Sequence, residues 1–152
     1  MLNLQQQIDR LIQTGPEYGV PILIMQNGVA PILQELAKDL NHLEYFICQN
    51  SQEDWLITTI QHRTQIELQK KVIYAFADQV DALQMQKVFT EEVSILSIPV
   101  ADLIFQLFAL QPVDSIIFMD APGDLAQAKE IAKKTLFDLL QTKLQQFKNN
   151  LA

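Results

Sequence analysis

The sequence contains a single cysteine, Cys48, so it cannot close an internal disulfide or assemble a thiolate zinc cluster. Glycine is also scarce: four in 152 residues, with no Gly-rich phosphate loop, no dinucleotide fingerprint and no G-x-S-x-G elbow. The two histidines, His42 and His62, have neither a second histidine nor a carboxylate at helical ligand spacing, and read as surface or capping residues. Basic residues number eleven against eighteen acidic ones. The net charge of −7 repels phosphate backbones, which argues against nucleic acid as a partner and admits a basic or neutral one.

Long apolar runs are missing as well. The longest, Val20 to Met25 and Val113 to Met119, fall far short of the roughly 20 residues that cross a bilayer. The N-terminus, Met1-Leu2-Asn3-Leu4 followed by Gln5, Gln6, Gln7 and Asp9, lacks the basic and then apolar stretches of a signal peptide. A cytoplasmic location with no membrane partner is expected.

What is present is enough apolar residue for one core. Hydrophobic residues make up 49% and charged residues 19%, in a chain the size of one domain with no repeat or low-complexity linker. Residues 1–152 are read as a single domain. Leu4, Ile8, Leu11 and Ile12 give a helix over 2–14, ended by Gly15-Pro16. Val20 to Met25 fits a short buried strand or part of a broken helix continuing to Leu40, and the strand is the reading adopted. Val29, Ile32, Leu33, Leu36 and Leu40 put one side of a helix over 29–40 toward the core.

The period then changes. Leu43 to Cys48, Trp55 to Ile60 and Ile66 to Phe76 are rich in β-branched and aromatic residues and read as three consecutive strands. The polar link Gln49 to Asp54 suits an antiparallel hairpin, and Gln61 to Thr64 the next reversal. Asp78 caps a helix over Gln79 to Gln86, Val93 to Ile98 is a strand, Pro99 leads a helix through Leu110, and Val113 to Met119 is a buried strand. Asp124 with Gln127 makes a capping-box-like start to a last helix, carrying Leu125, Ala128, Ala132, Leu136, Leu139, Leu140, Leu144 and Phe147, roughly 35 Å long at 1.5 Å per residue. The expected fold class is α/β (α+β): a single mixed β-sheet of about five strands flanked by helices, with a long C-terminal helix.

Candidate sites divide by chemistry. Cys48 ends an aromatic strand and is followed by neutral and acidic residues, which suits a small buried hydrophobe better than a reactive thiol. Asp114, Asp120 and Asp124 gather near the C-terminal end of the Val113 to Met119 strand, where α/β sheets place ligands, although Asp124 has a capping role. Tyr45, Phe46, Trp55, Ile57 and Tyr74 lie on strands, one face of which can remain open to take an extended peptide. Leu144, Phe147 and Leu151 continue the stripe of the last helix past the expected core, which suits self-association.

Trp55 to Ile60, Val72 to Phe76, Ala77-Asp78, Ile98-Pro99-Val100, and Ile116 to Met119 before Ala121-Pro122-Gly123 follow in an order that resembles the SseB N-terminal domain family. That family runs strand, strand, Phe-Thr-Ser helix start, strand, Pro-led helix, strand and Asn-Pro-Gly turn. The likeness covers about Tyr45 to Asp124, roughly half the chain. Ala77 replaces a hydroxyl residue, and Asp120-Ala121 stand where the family usually shows Asn. The resemblance implies an α/β binding or accessory module and carries over no catalytic residue. In size, acidity and Gln-rich helices the chain is also similar to the small cytoplasmic chaperones that serve carboxysome shell proteins.

The expected function is therefore a non-enzymatic adaptor or assembly chaperone that captures a segment of a client protein, such as a shell or scaffold protein, without a cofactor or metal. Tyr45, Phe46, Trp55, Ile57, Tyr74, Leu144 and Phe147 are its expected contact residues. The alternatives are a small-molecule- or metal-binding enzyme built on Asp114, Asp120 and Asp124, and a structural homo-oligomer.

Overall fold

Asn3 starts the first helix, α1 (Leu4–Thr14), with a reciprocal capping box: its side chain accepts from the Gln6 amide and the Gln6 side chain accepts from the Asn3 amide. The computed structural model describes residues 1–61, 64, 68–89, 91–121 and 127–151. Helix α1 buries Ile8 and Leu11 together with Gln7. Burying an amide is tolerable only when its groups are bonded. The Gln7 amide nitrogen donates to the Leu2 and Leu43 carbonyls at 3.1 and 3.0 Å, and its oxygen accepts from the Ala101 N–H at 3.1 Å.

A 3₁₀ turn, Gly15–Tyr18, follows, then α2 (Ile22–Ile24), a π-helical turn over Met25–Val29 and α3 (Ala30–Ala37). The strand expected over Val20 to Met25 is thus a helix. Pro21, at φ −58°, is its N-cap, and the Pro21 carbonyl accepts from both Ile24 and Met25. An apolar run this short has no period of its own, and Ile22 and Leu23 remain about half exposed, unlike residues of a central strand.

Six strands form one mixed sheet: β1 (Glu44–Asn50), β2 (Thr58–Gln61), β3 (Gln69–Phe76), β4 (Val93–Pro99), β5 (Ser115–Met119) and β6 (Lys129–Ala132). Their order is β4-β1-β3-β5-β6, with β2 also on β3; only β3 and β5 are parallel. The fold class read from the sequence holds. The hairpin expected across Gln49 to Asp54 is reduced to a single antiparallel bridge, flanked by Asn50 N–H donating to the Asp54 carbonyl and Leu56 N–H donating to the Cys48 carbonyl, both at 2.9 Å. β1 pairs along its whole length with β4 and meets β3 at Phe46↔Phe76, while β2 takes over the other end of β3 from Thr58↔Val72. Between them the Asn50 side chain accepts from the Gln52 and Asp54 amides, and Trp55 makes an isolated bridge to Gln49. Ile66, His62 and half of the Gln61 to Thr64 reversal lie outside the described residues.

Strand alternation separates two cores. Tyr45, Ile47, Ile73, Ala75, Ile116, Phe118 and Ile131 face the main core, with side chains of α1, α3, α5 (Val100–Leu107) and α6 (Lys133–Asn150). Phe46, Tyr74, Phe76, Ile95, Ile117 and Met119 face the other way, onto Ala82 and Met85 of α4 (Gln79–Gln86), capped by Asp78 as expected.

The last helix begins later than its pattern predicts, with Ala132 as its N-cap. Lys129-Glu130-Ile131-Ala132 are helix formers, but Ile131 pairs beside Ile116 in the core and Glu130 reaches Lys70 and Ser115 at 2.7 and 2.6 Å, so tertiary pairing overrides local preference. The 18 residues of α6 span about 27 Å. The Asp124 cap and Leu125 lie outside the described residues. Among the described residues, no helix is long and apolar enough to cross a membrane.

Candidate protein-binding site

Between α1 and α2 the chain turns a tight corner. A Cβ on Gly15 would lie 2.5 Å from Cγ of Met25, so the close approach requires glycine unless that side chain moves. Gly19 closes the 3₁₀ turn at φ +85°, a left-handed conformation that glycine adopts without strain. With Pro16 fixing the turn's start, the corner holds Tyr18 outward, 64% exposed, while the edge of its ring meets Phe105.

Phe105 and Phe108 are three positions apart at the end of α5, and Phe137 and Leu140 have the same spacing on α6, so each pair shares one side of its helix. The rings form a continuous edge-to-face series: Tyr18 to Phe105 at 6.0 Å, Phe105 to Phe108 at 6.4 Å, and Phe108 to Phe137 at 5.4 Å. They line a cavity of about 360 Å³ whose remaining wall includes Val20, Ile24, Val29 and Leu140. Among the described residues no charged one lines it; Gln106 and Tyr18 are the lining residues with polar side-chain groups. The apolar surface continues past the mouth. Phe137 is 47% exposed, and Ile22 and Leu23, between the lining residues Pro21 and Ile24, are 48% and 55% exposed.

None of the seven contact residues expected from the sequence lines this cavity. Tyr45 is fully buried in the main core, which excludes it from a surface site. Phe46 and Tyr74 are partly buried in the second core, and Trp55 packs on the main one. Ile57 is exposed. Leu144 is half-buried where α6 crosses the π-helical turn: a Cβ at Gly28 would lie 3.1 Å from its Cδ2 and 2.9 Å from Cδ1 of Leu140. Phe147 is half-buried further along α6. The missed residues are Tyr18, Phe105, Phe108 and Phe137. Their available signals were the paired rings of α5 and a tyrosine set between Pro16 and Gly19.

Asp114 and Asp120 do not gather. Asp114 precedes β5 and Asp120 follows it, so the strand separates them, and Asp124 with Pro122-Gly123 lies outside the described residues. Asp114 accepts from the Lys71 amide at 2.8 Å and its own amide donates to the Lys71 carbonyl at 2.7 Å, joining β5 to β3. Asp120 is buried beside the ends of the parallel strands, where α/β folds often hold ligands. Its carboxylate is already engaged: it accepts from the Tyr45 hydroxyl, from the Asn41 backbone and from the Asn41 side chain at 2.7 Å, and pairs with Lys129 at 3.2 Å. Burial alone would raise its pKa, but the Tyr45, Asn41 and Lys129 bonds together hold the carboxyl below the usual range. Burial, reinforced by the Asp120 bond and charge, pushes the Tyr45 hydroxyl well up. His42 completes the node, Nε2 lying 3.2 Å from the Asp120 carbonyl and its ring edge-on to Tyr45.

Cys48 is buried, its thiol directed at the Ala82 carbonyl and its pKa raised by burial, a packing residue as the sequence implied. Among the described residues no group of three or more His, Cys, Asp or Glu side chains is placed to hold a metal ion. No protein-family model matches the chain, and a search of curated proteins finds no match.

Proposed function

We propose that the chain is a non-enzymatic protein-binding module, an adaptor or assembly chaperone, that seats an apolar side chain of a client segment in the four-ring cavity. The carrying observation is the continuity of that cavity with exposed apolar surface. A small molecule needs only an enclosed volume of about 300 Å³ or more. Tyr18, Ile22, Leu23 and Phe137 extend the apolar surface outside the enclosed volume, as a macromolecular interface does. Aromatic anchors in desolvated pockets also carry most of the energy of protein interfaces.

Charge narrows the client. At the rim itself charge is mixed, with Glu17 beside Tyr18 and Lys133 and Lys134 a turn before Phe137, so the preference rests on the whole chain's −7. A neutral or basic segment with one protruding leucine or aromatic side chain fits best. The best-buried carboxylate, Asp120, is taken up by its own donors, which favours binding over catalysis as the reading.

The test is affinity purification from the native host with tagged wild type, Phe137→Asp and Gln79→Asp, an exposed control on α4 across the sheet from the cavity. Clients retained by wild type and by the control but lost from Phe137→Asp, at unchanged melting temperature, support the assignment. Equal retention by all three removes the cavity as the site.

A further inference from the structure

We propose that the outer edge of β4 is a self-association surface, on which β4 of a second copy pairs antiparallel and continues the sheet through both chains. This inference is independent of the four-ring cavity. The two ends of the sheet are unlike. At one end β6 has four residues, two of them charged, Lys129 and Glu130. Short and charged is how proteins protect a sheet edge. At the other end β4 has seven residues, Val93-Ser-Ile-Leu-Ser-Ile-Pro99, with no charge, paired with β1 on one side along its whole length. Among the described residues, only the Gln86 side chain makes a further hydrogen bond to β4 backbone, at the Val93 carbonyl. Of the usual protective devices β4 has only a terminal proline.

The surface beside that edge is apolar too. Gln86 identifies the side of α4 that faces β4, and Leu83, three positions back, shares that side. Leu83 is 41% exposed and Val80, three positions further back, 57%. A twofold axis perpendicular to the sheet would place both copies of α4 on the same face, so these side chains would flank the junction from both copies.

The strand itself favours a second copy as the occupant. Such an axis requires opposed residues to share a face, so a register centres on a residue. Centring on Leu96 pairs all seven positions: Leu96 with itself, Ile95 with Ser97, Ser94 with Ile98 and Val93 with Pro99. No like charges come opposite one another. Continued by one residue, the register sets exposed Glu92 beside Val100, the first residue of α5 in the other copy. The first amides of that helix are already taken by the Leu43 carbonyl and the Gln7 side chain, so the charge that meets Glu92 there is that of Arg10, 45% exposed and paired with Asp102 at 3.3 Å.

Sedimentation velocity over a wide dilution series tests this with wild type, Ser94→Lys, and Gln141→Lys as a control with the same charge change. Ser94 is exposed at the edge, so the fold should tolerate the change, which circular dichroism checks. The expected result is a wild-type and control species of twice the 17.4 kDa chain mass that dissociates on dilution, and its loss in Ser94→Lys at equal concentration. A wild-type monomer throughout the series, or a dimer unaffected by Ser94→Lys, overturns the proposal. A dimer broken by Phe137→Asp and not by Ser94→Lys also overturns it, and locates self-association at the cavity.

Discussion

The hydroxyl of Tyr45 donates to the carboxylate of Asp120 across 75 residues of chain, joining the first residues of β1 to the end of β5. Both partners are buried and each satisfies the other, so neither can be removed alone without leaving a desolvated polar group.

Asp120→Asn is expected to lower stability by about 2 kcal/mol at neutral pH, because the donors from Tyr45, Asn41 and Lys129 lose a charged acceptor. The folded carboxyl is held below its ordinary value, so its contribution is complete above the unfolded pKa and disappears as pH falls through the folded one. Denaturation of both proteins across pH should show a constant gap above about pH 5 that narrows below pH 4. A gap independent of pH down to acid unfolding counts against the node.

On α6, Leu144→Ala and Phe147→Ala should separate. Leu144 meets the Gly28 notch, and its truncation should cost about 2 kcal/mol, whereas Phe147→Ala, half-buried further along the helix, should cost about 1 kcal/mol. Urea midpoints at constant m-value measure both. Equal losses would mean that the last turns of the helix pack as firmly as its middle.

Gly28→Val adds bulk where even a Cβ lies 2.9 Å from Leu140. Overpacking of this kind costs about 1–3 kcal/mol, and the loss should be partly recovered in the double variant Gly28→Val/Leu144→Ala. Strict additivity in that cycle would place the strain elsewhere.

Cys48 should react with a disulfide reagent at least about tenfold more slowly in the native protein than in denaturant, given burial and a raised pKa. Labelling at the unfolded rate in buffer would contradict its placement beneath α4.

Elements whose pattern is long, or bounded by a cap, were legible from the residues alone. Helix α4 falls between Asp78 and Gln86 as read, and Val93 begins a strand. Pairing was not legible. Nothing local tells Asn50 to end its ladder with β4 while Thr58 begins one with β3, because register is decided by distant partners. β6 was hidden for the same reason, its residues being ordinary helix formers. The site was less visible still. Tyr45 and Phe46 are adjacent aromatics of one strand, and alternation buries the first in the main core and gives the second to the other face. Tyr18, Phe105 and Phe137 are far apart in sequence and meet only because α5 and α6 pack beside the Gly15 corner.

The turn of Met25–Val29 is wider than an α-helical one, and the phase of its neighbours depends on that width. Deleting a single residue there, such as Asn27, would rotate Ile22–Ile24 by about 100° against Ala30–Ala37. The corner that presents Tyr18 and the α3 side chains of the core could not then both keep their positions. At exposed Gln26 and partly buried Asn27 this stretch should accept changes of side chain far more readily than changes of length, so alanine at either should be tolerated where deletion of either is not.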